Sequence, residues 1–233
     1  PDPPGQAPRP MKIRIGALGY ADDTYGLGPD NPAIQEQLNV TELWLDYTGQ
    51  EVNAKKSLSF STEESDGTQI MIDGVPIPPA EEFRSLGVGI RLTEAAGTGP
   101  LLSKRIRRAG ELLSRAHGVQ GGRSRKAEAV ATLVLATGLF GSEVADVSAA
   151  DLRALETKVL NSIWGPCRGG RAKEVVFSVL EKGHRVSPIM KVRYMQIGWL
   201  ARAARRPGSL QTIIQAVWEA SKGRPRPVGP VGR

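Results

Sequence analysis

The sequence predicts an α+β fold, with short antiparallel strands and one packed helix first and an all-helical region after. Three observations carry this. Residues 1–100 break short alternating apolar segments with turn signals such as Asp73-Gly74. From Leu101 onward, apolar residues recur at three- and four-residue spacing, the period of helices with one buried face. Charge divides at the same place. Residues 1–100 hold 7 Lys+Arg against 15 Asp+Glu, a balance of −8, whereas 101–206 hold 20 against 8, a balance of +12, and 207–233 hold 4 against 1, a balance of +3.

A chain of 233 residues with 40% hydrophobic and 24% charged content can bury a sizeable core, although 5% aromatic is low. No apolar run approaches the roughly 18 residues of a membrane span. The proline-rich start lacks the basic-then-apolar order of a secretory leader. The single cysteine, Cys167, excludes an intramolecular disulfide and a cysteine-rich zinc site, and it suits a reducing compartment. An acidic part joined to a basic part suits a phosphate-handling enzyme, although lysines and arginines that merely solvate helices give the same counts.

In chain order, residues 1–10 carry too much proline for helix or paired strand and read as a disordered lead-in. Met11 to Ile15 alternates as a strand, and Leu18 to Gly26 reads as a hairpin with Asp22-Asp23 at its tip. Asp30-Asn31-Pro32 is a helix start, so 32–47 is expected helical, with Ile34, Leu38, Leu45 and a core Trp44 on the apolar face. After the Thr48-Gly49 stop, a polar turn presents Lys55 and Lys56, and Leu58 and Phe60 resume a strand. Gln69 to Ile77 and Glu82 to Ile90 read as hairpins, and Gly97 to Pro100 as a boundary. Residues 101–116 form a helix with Leu102, Ile106, Ala109 and Leu113 inward. Gly118 to Gly122 breaks the chain, and Arg123, Arg125 and Lys126 open a helix whose body, 127–140, is buried. Ser148 to Asp151 resembles a capping box opening a helix striped by Leu152, Leu155, Val159 and Ile163, which Trp164-Gly165-Pro166 ends. Further helices are expected over 173–181, 188–204 (carrying Tyr194, Ile197 and Leu200) and 210–220, before a disordered basic tail from Lys222.

Adjacent carboxylates at a tight turn offer hard oxygen ligands to divalent cations, though a bare Asp-Asp is more often a solvated turn. The full Tyr20-Ala21-Asp22-Asp23, entered by a strand, resembles the Tyr-x-Asp-Asp hairpin that closes the palm of reverse transcriptases. Asn53, Lys56 and Ser57 match the Asn-x-x-Lys-Ser/Thr palm motif of the same family, in the form nearer to non-LTR (LINE-type) retrotransposon and group II intron enzymes. Phe83, Leu86 and Gly87 resemble its primer grip, and 138–143 and 155–165 look more loosely like the region after the palm in LINE-type elements. The motif-bearing likeness covers about residues 12–92.

The resemblance implies a partial polymerase palm over 11–96, a basic thumb-like helical region over 97–206, and a short helix with a tail over 207–233. It implies RNA-templated DNA synthesis with two Mg²⁺ ions, an RNA template, a DNA primer and deoxynucleoside triphosphates. Asp22 and Asp23 would be the metal ligands, Tyr20 and Ala21 the hairpin support, Lys56 the cation near the pyrophosphate, and Phe83, Leu86 and Gly87 the primer contact. Lys104, Arg105, Arg107, Arg108, Arg115, Arg123, Arg125 and Lys126 would follow the nucleic-acid backbone. In this family another metal-binding aspartate lies on a strand well upstream of the hairpin. Little sequence precedes Asp22 here, and Asp2 sits among prolines, so the 233-residue chain alone is expected to be an inactive fragment.

His117 at a helix end and His184 in a loop lack companions for zinc or for a Cys-His hydrolase, and no nucleophile elbow or phosphate-binding P-loop appears. The competing expectation is a non-catalytic nucleic-acid-binding remnant of a retroelement that uses the basic helical half. A helical protein-binding module ranks third. An intracellular location, nuclear or cytoplasmic, is expected, with the resemblance favouring the nucleus; the lack of a long apolar run argues against a membrane, and the sequence leaves the oligomeric state open.

Overall fold

The computed structural model describes residues 17–20, 23–61, 69–91, 97–166, 172–179, 183–206 and 208–221. The chain is mixed α+β and mostly helical, with small antiparallel hairpins before a helical region. It forms two compact units, residues 1–81 and 82–233. The expected lead-in over 1–10, the strand over 11–15 and the tail from 222 lie outside the described residues.

In the first unit, β1 (Ala17–Tyr20) pairs antiparallel with β2 (Asp23–Gly26), and Tyr20 stands opposite Asp23 with two residues between them. The Asp30 carboxylate accepts the Ala33 amide at 2.8 Å and starts α1 (Asn31–Thr48), with Pro32 in its first turn. Gly49, at φ +71°, ends α1 in the left-handed conformation that glycine adopts without a Cβ clash. One 3-10 turn over Ala54–Lys56 follows. Strands β3 (Met71–Ile72) and β4 (Val75–Pro76) then meet at Asp73 and Gly74, both at positive φ, as a type I′ turn requires.

Ile70, Ile72 and Ile77 form the core of this unit against Ile34, Leu38, Val52 and Ala54. The Gln35 side-chain amide donates to the Met71 carbonyl at 2.9 Å and accepts the Met71 N–H at 2.8 Å. It thus meets both backbone groups of a strand edge as a neighbouring strand would. Trp44 corrects the sequence expectation: it is 60% exposed, in a stripe with Val40, Leu43 and Tyr47, because so small an isoleucine core covers only the opposite face of α1. The strand expected at Leu58 and Phe60 is also corrected to an isolated parallel bridge between Ser59 and Pro79. Pro78 and Pro79 have no N–H, so no ladder can continue there. The antiparallel sheet expected for the palm is, among the described residues, three separate two-stranded hairpins.

In the second unit, β5 (Glu82–Ser85) and β6 (Val88–Arg91) pair through a type I′ turn at Leu86 (φ +48°) and Gly87 (φ +82°). Helix α2 (Pro100–His117) follows. The Glu82 carboxylate accepts the Leu101 amide at 3.2 Å, so the hairpin itself caps α2. That contact explains why the division falls before Glu82, whereas the sequence suggested Gly97 to Pro100.

Helix α3 (Arg123–Ala129) runs through a π-helical segment at Val130–Val134 into α4 (Leu135–Gly138). The Lys191 ammonium donates to the Ala131 carbonyl at 2.7 Å, a side chain inserted into the wide turn. This stretch is not buried all round as expected, since Leu133 is 67% exposed and Phe140 46%. Helix α5 (Ala149–Trp164) buries the expected Leu152, Leu155, Val159 and Ile163. Its capping box is relayed. Ser148 Oγ accepts the Asp151 N–H at 3.0 Å, the Ser148 N–H donates to Thr98 Oγ1 at 2.9 Å, and that hydroxyl donates to Asp151 Oδ2.

Helices α2 and α5 lie side by side in the same direction, with Thr98 meeting Ser148 and Asp151 at one end and His117 Nδ1 3.4 Å from the Ser162 carbonyl at the other. Helices α6 (Lys173–Val179), α7 (Gly183–Val186), α8 (Pro188–Arg205) and α9 (Ser209–Ser221) complete the unit. His184 therefore sits in a one-turn helix and not a loop. In α8, Tyr194 and Ile197 are exposed while Pro188, Val192 and Ala203 are buried.

Candidate nucleic-acid interface

The Asp-Asp hairpin is organised by backbone pairing. Because Tyr20 faces Asp23, the first residue of β2 carries its carboxylate at the turn, where it is exposed. Ala21 and Asp22 lie outside the described residues. Asn53, Lys56 and Ser57 share one turn: the Asn53 carbonyl accepts from the Lys56 and Ser57 amides at 3.0 and 3.1 Å and from Ser57 Oγ at 3.1 Å. Lys55 and Lys56 are exposed. Phe83, Leu86 and Gly87 share the β5–β6 hairpin, with Phe83 half-buried and Leu86 56% exposed at the turn.

The basic side chains of the second unit fall into two groups. Arg105 donates to the Gly87 carbonyl and, at 3.0 Å, to the Phe140 carbonyl, and its guanidinium lies 5.1 Å from the centre of the Phe140 ring. Arg108 pairs with Glu111 at 2.8 Å, and that hydrogen bond holds the Glu111 carboxyl below its usual range. Lys126 donates to the His117 carbonyl at 2.8 Å. By contrast Lys104, Arg107, Arg115, Arg123 and Arg125 are exposed and make no ion pair or side-chain hydrogen bond among the described residues. Of the basic residues singled out in the sequence, these five keep their charged ends open to an external phosphate.

Several features escaped the sequence reading. Arg105 clamps the Leu86-Gly87 turn, and nothing in the local sequence says that Gly87 and Phe140 come to one place. Glu156, 7% exposed, accepts Ser187 Oγ at 2.9 Å, and burial raises its pKa. Burial likewise lowers the pKa of Lys191. Lys158 on α5 reaches across to Gly110 of α2, a meeting that the pattern of either helix alone does not reveal.

No group of three or more His, Cys, Asp or Glu side chains arranged to hold a metal occurs among the described residues. Asp23 supplies a hard oxygen donor of the kind Mg²⁺ takes, but one described carboxylate does not fit a two-metal site. Among the described residues no helix is long and apolar enough to cross a membrane. No protein-family model, curated protein or solved structure matches the chain.

Proposed function

We propose that this chain is part of an RNA-directed DNA polymerase of the non-LTR retrotransposon type, working in the nucleus on a primer–template duplex. The register of the first hairpin carries the reading, because Tyr20 opposite Asp23 presents a carboxylate at a two-residue turn. The order of motifs supports it: a helix after the hairpin, a lysine-bearing turn at Asn53 to Ser57, and a second hairpin with Phe83 and Gly87. Asp22 and Asp23 are the residues that would face Mg²⁺, Lys56 offers positive charge, and the Leu86-Gly87 turn contacts the primer. The described carboxylates alone do not complete a metal site. The chain supplied alone with primer–template, Mg²⁺ and deoxynucleoside triphosphates is expected to extend nothing.

A second reading is favoured by one specific observation, five exposed cations that make no ion pair or side-chain hydrogen bond among the described residues, although Arg107 and Arg115 lie in the field of Glu111. It is a non-catalytic binder of nucleic-acid backbone. Competition between an RNA–DNA hybrid with a recessed primer 3′ end and a blunt hybrid of equal length separates the two. The polymerase reading predicts several-fold preference for the recessed end. Equal affinity leaves only the backbone binder, and no affinity for either overturns both.

A further inference from the structure

Helices α2 and α5 enclose a cleft of about 200 Å³ lined by Ser103, Ile106 and Arg107 from one side and Asp151, Leu155 and Lys158 from the other. Leu155 is 2% exposed and floors it, while Arg107 and Lys158 are exposed cations without an ion pair or hydrogen bond among the described residues. Asp151 is engaged by the Thr98 hydroxyl at the N-terminal end, which leaves the cationic end beside Arg107 and Lys158. Gly110 opens this arrangement. A Cβ there would meet Lys158 Nζ at 2.7 Å, so the lysine end lies directly over this glycine of α2. Two exposed cations from two helices, Arg107 also in the field of Glu111, make with the hydroxyl beside them a site for an oxyanion.

We infer that this cleft takes a backbone phosphodiester of a nucleic acid, held between Arg107 and Lys158 with Ser103 Oγ as a further donor. The inference rests on the proposed nucleic-acid function and adds to it a defined site and a residue of α5. A polymer is favoured over a lone phosphate because the cleft lies within a longer basic run. Lys104 to Arg115 spans about 16 Å of helix. That length covers about five phosphates of one strand at 3.4 Å per phosphate.

The test uses the full 233-residue chain and fluorescence anisotropy with a labelled RNA–DNA hybrid across a salt series. Arg107→Gln with Lys158→Gln is expected to weaken binding about ten-fold or more at low salt. The slope of log affinity against log salt should become shallower by about one, because the two cations hold a single phosphodiester. Lys158→Arg, which keeps the charge, should stay within about two-fold of the parent. The charge-matched control is Arg193→Gln with Arg205→Gln on α8, and thermal melts check folding. Lys158→Met, which retains the stem over Gly110, replaces the glutamine if that variant melts early.

A double variant that binds like the α8 control overturns the site while leaving the proposed function standing. Loss of inorganic phosphate binding with undiminished hybrid binding overturns it too, in favour of a small-anion site. A parent chain without affinity for the hybrid removes the proposed function, and this inference with it.

Discussion

Glu156 is a carboxyl on α5 held in a nearly closed environment, where it accepts from the Ser187 hydroxyl that also caps α8. Desolvation raises its pKa, against the opposing hydrogen bond from Ser187 and the charges of Lys173 and Arg153, with Glu174 adding to the rise. A group whose pKa is higher folded than unfolded favours folding at pH below its unfolded value and loses that contribution as pH rises through the folded one. Glu156→Gln keeps an acceptor for Ser187 without a charge. The melting temperature of the variant should therefore exceed the parent's by a margin that grows from pH 4 to pH 8. A margin independent of pH contradicts this. Arg105 presents the opposite case, a charge that donates to two carbonyls and lies beside an aromatic ring, and so holds the Leu86-Gly87 turn against α2.

At the scale of elements, α2 is held from three directions: by the β5–β6 hairpin, by α4 and by α5. Gly138 lies against α2 so closely that no Cβ fits beside Ala109. Gly138→Ala raises helix propensity by about 1 kcal/mol, yet overpacking against a neighbouring helix costs about 1–3 kcal/mol. The net expectation is a destabilised protein by urea unfolding, and a stabilised one refutes the close approach. Caps and turns of these elements were legible because their chemistry is local. Asp30 with Pro32, Gly49, Asp73-Gly74 and Ser148 each act within four residues of themselves. The exposure of Trp44, the clamp of Arg105 and the crossing of Lys158 over Gly110 were not legible, because each depends on which element lies opposite. The π turn at Val130–Val134 belongs with them, since Lys191 reaches it from sixty residues away.

At the scale of the molecule, the charge division noted in the sequence acquires physical form in the second unit. Some of its cations are committed to carbonyls and carboxylates, while Lys104, Arg107, Arg115, Arg123, Arg125 and Lys158 are exposed and make no ion pair or side-chain hydrogen bond among the described residues. Composition alone could not make that distinction. For the candidate site, the residues of each motif were readable and their grouping on single turns follows from local chain geometry. The completeness of a metal site is a property of several elements together, and no short motif reports it.

The most direct measurement of the central claim is the anisotropy of a labelled RNA–DNA hybrid with a recessed 3′ end, titrated with the full chain between 50 and 200 mM salt. Engagement of the free cations with phosphates predicts a linear fall of log affinity with log salt, at a slope of roughly −3 to −6 for about four to six contacts. No binding at 50 mM, or binding indifferent to salt, contradicts a nucleic-acid function for this chain.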